Sequence, residues 1–141
     1  MNDVIRQQAV EEFSRHFLCV LSTVTEDAKP QSAIVGYAAS ENLQLLIGTS
    51  NKTRKYANLQ HNAQVSVVVG DTVAEIQYEG TARLLERSEA ESLVGTQFKA
   101  LPGTAKYIND PDQAWFLINP TWLRLTVHGT PNRVEEIGEF A

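Results

Sequence analysis

The sequence predicts a mainly β fold of the α+β class, and three stretches carry that prediction. Gln64–Val69 (QVSVVV) is the most β-branched run in the chain, and branching at Cβ suits a pleated, half-buried surface. From Glu75 to Leu85 apolar and polar residues alternate strictly, the period of a strand with one wet or interface face. Phe17–Thr23 and Gln31–Ala39 flank the polar turn Glu26-Asp27-Ala28-Lys29-Pro30 and read as a hairpin. With 141 residues and 43% hydrophobic content, the chain can build one good core and is too short for two ordinary domains, so residues 1–141 read as one domain.

Taken in order, Ile5, Ala9, Phe13 and Phe17 recur every four residues and predict an amphipathic helix with Arg6, Gln7, Glu11 and Glu12 turned outward. In Gln31–Ala39, Ala33, Val35 and Tyr37 share one face and Ser32, Ile34 and Gly36 the other; neither is strongly polar, which predicts a strand covered on both sides. Ser40-Glu41-Asn42 turns the chain into an apolar strand over Leu43–Thr49. That strand is expected to break at Gly48-Thr49-Ser50 and restart as a helix from about Thr53 to His61, ending near Asn62, a residue tolerant of left-handed backbone.

QVSVVV should be a central strand closed by Gly70-Asp71, and in the next strand Ile76, Tyr78, Gly80, Ala82 and Leu84 should face one way. Ser88 to Glu91 fits a capping box, predicting a helix over Ser88–Lys99 with Ala90, Leu93, Val94 and Phe98 as its apolar stripe. Ala100–Asp112 has no sustained period and reads as a lid or loose loop near the functional site. Trp115–Ile118 and Thr121–His128 read as two strands broken by Asn119-Pro120, and the acidic tail beyond Pro131 as poorly tied down.

Composition excludes several function classes. A net charge of −5 argues against nucleic-acid binding, which needs a basic face. Cys19 is the only cysteine, so no intrachain disulfide exists, and its apolar neighbours place it in the core. Cys and His form no metal framework, no apolar stretch approaches a membrane span, and a cytoplasmic location is the expectation. His16, His61 and His128 are dispersed and read as surface or satisfied core residues; Trp115 and Trp122 read as core or interface more readily than as ring-stacking residues. Glu75 and Glu79 share a strand face and could pair as acid and base, but a solvated face or cross-strand ion pairs explain them more simply.

The sharpest functional signal lies in Leu45–Leu59 (LLIGTSNKTRKYANL). Lys52, Arg54 and Lys55 crowd the start of the expected helix in an otherwise acidic chain. The first helical turn already carries unpaired N–H groups and the positive end of the macrodipole, so it disfavours cations. Cations, Ser and Thr hydroxyls and free N–H groups at one helix start would together hold a phosphate. A solvated basic turn is the other reading of the same residues.

The order of elements, with the Lys29-Pro30-Gln31 turn, the Arg54-Lys55-Tyr56-Ala57-Asn58-Leu59 segment ahead of a valine-rich strand, and Glu79-Gly80-Thr81-Ala82, resembles the pyridoxamine 5′-phosphate oxidase-like family of FMN-binding split barrels over about Val10–Leu125. The resemblance implies a six-stranded antiparallel Greek-key split barrel with short flanking helices, working as a homodimer with FMN, or a deazaflavin in related branches, at the subunit interface. It implies phosphate contacts from Thr49, Ser50, Thr53 and Lys55, with Arg54 or Lys52 as further candidates, and Ser32, Ala33, Ile34 and Val35 along the flavin ring. Gln77 or Trp115 would come from the facing subunit.

This chain departs from the family pattern in places. Thr53 stands where a second basic residue is frequent, and Ala28 where Gly is preferred. The oxidases that make pyridoxal phosphate carry an Arg and a His two positions apart near the C-terminus, whereas Arg124 and His128 are four apart on one expected strand face, which argues against that particular activity. Two functions follow as expectations: a flavin-dependent oxidoreductase acting on a small molecule, or a flavin-binding carrier or sensor without turnover.

Overall fold

The computed structural model describes residues 3–99 and 110–140. The elements are α1 (Asp3–Ser14), β1 (Leu18–Val24), β2 (Pro30–Ala39), β3 (Leu45–Ser50), α2 (Arg54–His61), β4 (Gln64–Gly70), β5 (Ala74–Leu85), α3 (Arg87–Leu93), β6 (Gln113–Val127) and β7 (Arg133–Ile137). Strands pair in the order β3-β2-β1-β4-β5-β6-β7, and β3 also pairs with the first half of β6. The result is a closed six-stranded antiparallel barrel, with β7 as an extra strand along the second half of β6. Among the described residues, no helix is long and apolar enough to cross a membrane.

Alternation builds the interior as expected. Val65, Val67 and Val69 point inward from β4, and Ile76 and Tyr78 from β5, to meet Leu21, Val35, Leu45, Ile47, Phe116 and Leu123. Phe13 of α1 plugs one end, edge-on to Tyr37 and Tyr78 at ring distances of 5.7 and 6.0 Å. The tyrosine hydroxyls stay satisfied at depth: Tyr37 donates to the Phe13 carbonyl at 2.6 Å and Tyr78 to the Leu43 carbonyl at 2.8 Å. A second, smaller core lies outside the barrel wall, where Leu46, Leu85, Trp115 and Leu117 are roofed by Ala90 and Phe98.

Several expectations are corrected, each by a tertiary partner. The α1 period ends at Ser14, so Phe17 is 73% exposed, and Glu12 turns inward (7% exposed) to accept from Arg15 and His16, both at 2.8 Å. The outer face of β2 is open within this chain, with Ile34 69% exposed. Gly48 does not break β3; the strand runs through it, paired with Trp115 of β6, and a Cβ there would meet the Gln113 side-chain nitrogen and come within 2.6 Å of a Trp115 ring carbon. Asn62 closes α2 in extended rather than left-handed backbone.

On β5, Leu84 is exposed and Leu85 buried, since α3 covers the outer face at that end. The expected capping box does not form: Glu86 is the N-cap, without a side-chain bond, and α3 ends at Leu93. Asn119-Pro120 does not divide β6, because a register shift at Glu79/Gly80 accommodates the proline opposite. Gly80 is needed there, as a Cβ would sit 2.5 Å from the Asn119 carbonyl oxygen. The tail is tied down as β7, with Ile137 buried. Of the expected loop at 100–112, residues 100–109 lie outside the described residues.

The β1–β2 hairpin turns at Ala28, whose φ of 66° lies in the left-handed region. That conformation costs a residue with a Cβ about 1–2 kcal/mol. Ala28→Gly should therefore stabilise the protein by up to about 1 kcal/mol after the larger unfolded-state entropy of glycine is subtracted. A thermal melt should show this as a rise of roughly 2–4 °C for a domain of this size; no rise, or a fall, would show that the turn is not strained.

Candidate functional site

The last rungs of the β3–β6 ladder, Thr49↔Ala114 and Ser50↔Gln113, deliver the chain to the start of α2. There the hydroxyls are spent on shaping the turn. Thr53 is the N-cap; its Oγ1 accepts from the Tyr56 N–H at 3.3 Å and donates to the Ser50 carbonyl at 2.9 Å. Thr49 Oγ1 lies 3.0 Å from Thr53 Oγ1 and can donate to it, which fills the one-donor, two-acceptor capacity of the Thr53 hydroxyl. Ser50 Oγ accepts from the Lys52 N–H at 3.2 Å and keeps its own proton. Thr49 and Thr53 thus shape the junction through their hydroxyls.

The three cations differ. Lys52 pairs with Asp112 at 3.0 Å, and the hydrogen bond to that carboxylate holds its ammonium above the usual value. Arg54 is exposed and Lys55 half-buried, and among the described residues neither has a carboxylate partner. Burial pushes the Lys55 ammonium below its ordinary 10.5, so this charge is partly desolvated without a compensating carboxylate among the described residues. Lys52–Lys55 face Gln31, Ser32 and Ala33 of β2 and Leu21 and Thr23 of β1 across a groove of about 340 Å³, within the range of small-molecule sites.

Asn58 fixes the distance across this groove. Its side chain is buried and donates to Thr23 Oγ1 at 2.9 Å and Gln31 Oε1 at 3.0 Å, tying α2 to the hairpin. Gln31, Thr23, Leu21 and Asn58 were not among the residues the sequence singled out for the site. The available signal was Asn58 itself, a poor helix former in the middle of a short helix, where such a residue needs a tertiary reason.

The remaining expected residues lie elsewhere. Of the β2 quartet, Ser32 and Ala33 line the groove, while Val35 is buried in the barrel and Ile34 points outward. Gln77 lies on the outer wall of β5, donating to Glu75 Oε1 at 3.1 Å. Trp115 is 2% exposed within this chain and packs in the second core. Arg124 is bound to Glu136 at 2.6 and 2.8 Å and stacks on Trp122, while His128 follows the end of β6. Burial drives the Cys19 thiol up to about 12, so it is no nucleophile. Among the described residues no group of metal-ligating side chains occurs.

On the outer wall, Leu18, Ile34 and Val68 are exposed beside one another, with Val20 paired to both Ile34 and Val68; Phe17, just before β1, is also exposed. This apolar face is separate from the groove lining apart from the shared strands β1 and β2.

The family model described as pyridoxamine 5′-phosphate oxidase matches residues 5–127. A search of curated proteins finds no match. Among solved structures, the chain is similar to General Stress Protein 26 from Bacillus anthracis, with 22% identity, 96% of this chain and 98% of that one covered, and a TM-score of 0.75. It is similar to a heme binding protein from Mycobacterium smegmatis, at 18% identity over 94% of this chain and 57% of that one, with a TM-score of 0.77. A pyridoxamine 5′-phosphate oxidase-related, FMN binding protein from Nostoc punctiforme matches at 12% identity over 96% and 94% of the two chains, with a TM-score of 0.62. Likeness at these identities carries the fold.

Lys55 gives a prediction for the ligand-free protein. Its folded value lies below 10.5, so between the two values the unfolded chain binds more proton, and stability rises with pH through that window. At pH 7 the cost of the charge is fully present. Lys55→Met should then melt at or above the wild-type temperature at pH 7, with the difference shrinking as pH approaches 10.5. A clear loss of stability at pH 7 would mean that Lys55 has a structural role.

Proposed function

This chain belongs to the pyridoxamine 5′-phosphate oxidase family, and from that premise we propose that it is an FMN-binding oxidoreductase acting on a small organic molecule. One observation carries the reading: Arg54 and half-buried Lys55, both without carboxylate partners among the described residues, converge on a groove at a helix start. A phosphate monoester supplies the missing charge. It would accept from Lys55 and Arg54, from the Ser50 hydroxyl and from the first-turn N–H groups of α2, each a charge-assisted contact. Thr49 and Thr53 serve this site by keeping the turn in shape. Ser32 and Ala33 would lie against the ligand directly, and Ile34 and Val35 through their backbone.

When bound, the flavin supplies the hydride and electron chemistry, and the protein supplies position and electrostatics. A deazaflavin carrying a phosphate suits the same groove. Heme suits it less well, because the described residues lining the groove include no His, Met, Cys or Tyr to serve as an axial ligand.

The exposed Phe17, Leu18, Ile34 and Val68 support a homodimer, since an apolar face of this kind on a small domain is better covered than wet. Gln77, on the same outer wall, is the residue we assign to the partner's site.

The test is an FMN titration read by absorbance, followed by anaerobic reduction with NADH or NADPH. We expect saturable binding, bleaching of the bound flavin by a donor, and an FMN affinity about tenfold to more than a hundredfold weaker in Lys55→Ala, the range for hydrogen bonds to charged groups. Binding without reduction by any donor would leave a carrier or sensor; equal affinity in the two proteins would remove Lys55 from the site. Sedimentation should report a dimer at micromolar concentration, and a stable monomer would contradict the interface.

A further inference from the structure

We infer that Gln31 is a further ligand-binding residue of this groove, a neutral donor to the phosphate beside Lys55, and that Asn58 is the positioning residue that aims it. The inference rests on the phosphate reading above. Asn58 Nδ2 carries two hydrogens and spends both, one on Thr23 Oγ1 at 2.9 Å and one on Gln31 Oε1 at 3.0 Å. The opposite orientation of the Gln31 amide would set nitrogen against nitrogen, donor facing donor. With the Asn58 nitrogen directed at Thr23 and Gln31, Asn58 sets which end of Gln31 is engaged and which is offered.

The offered end is Nε2. Among the described residues it donates to no acceptor, yet it is not sealed away, for the buried unpaired side-chain polar atom of this structure is Gln113 Nε2. Gln31 lines the groove together with Arg54 and Lys55. A phosphate ester presents only acceptors to its surroundings, so an amide held with its nitrogen forward matches it, and one held with its oxygen forward repels it. Lys55 contributes a flexible point charge, whereas Gln31 contributes direction.

Asn58→Asp separates aiming from simple support. The carboxylate is nearly isosteric and accepts from both Thr23 and Gln31, so the anchor persists while the Gln31 amide turns round and presents Oε1 to the ligand. The added negative charge also opposes a phosphate, and for that reason the effect is measured in two backgrounds.

The experiment uses the full chain and two probes, FMN and riboflavin, which differ by the phosphate. Melts confirm that each variant is folded, and Gln31→Glu, which keeps the bond from Asn58, replaces Gln31→Leu if the latter is not. We expect Gln31→Leu to weaken FMN about tenfold to a hundredfold, as for a donor to a charged group, and to leave riboflavin affinity unchanged. Asn58→Asp should weaken FMN strongly with Gln31 present and much less with Leu at that position.

Unchanged FMN affinity in Gln31→Leu, or an equal loss for riboflavin, would overturn the donor. Equal losses from Asn58→Asp in both backgrounds would overturn the aiming. If wild type binds FMN no better than riboflavin, the phosphate reading itself fails. If Lys55→Ala abolishes the preference for FMN and Gln31→Leu does not, that reading stands and this inference falls.

Discussion

Closure of the barrel by β3 against the first half of β6 is the constraint on which the rest depends. The ladder runs from Leu45↔Ile118 to Ser50↔Gln113, and its final rungs carry the chain straight into the turn that starts α2. It is made possible by a glycine at position 48, where a Cβ would meet the Trp115 ring that packs in the second core. The same strand thus faces the barrel with Leu45 and Ile47, roofs the outer core with Leu46, and ends where the cations gather.

At that end the fold leaves positive charge at a helix start. Thr49, Ser50 and Thr53 shape the turn, Asn58 ties the helix to the hairpin, and among the described residues the half-buried Lys55 ammonium has no carboxylate partner. A cation at a helix start opposes the macrodipole, and partial burial adds to the cost. The arrangement is unfavourable in the empty protein, a cost that the proposed anion site would relieve. Lys52, placed two residues earlier, shows the contrast, because Asp112 neutralises it within the fold.

Much of this was legible in the sequence wherever one element decides its own fate. The alternation in β4 and β5 reflects a buried inner face, and the basic junction stood out because its charges contradict helix electrostatics. What was hidden depended on a second element distant in the chain. Leu85 is buried because α3 covers it, Pro120 stays within β6 because Gly80 lets the opposite strand shift register, and the acidic tail becomes β7 because the second half of β6 has a free edge. Lys55, Arg54, Ser32 and Ala33 line one groove, whereas the Asn58–Gln31 bond spans 27 residues and leaves no local trace. Trp115 was ambiguous in the sequence because an aromatic side chain suits a core and an interface equally well.

The most direct test of the central claim is a crystal structure of the protein grown with FMN. The phosphate should be seated at the start of α2, within hydrogen-bond distance of Lys55 Nζ and the first-turn N–H groups, with the ring system running along β2. A flavin bound elsewhere, or one whose phosphate points to solvent while Lys55 remains unpaired, would contradict that claim.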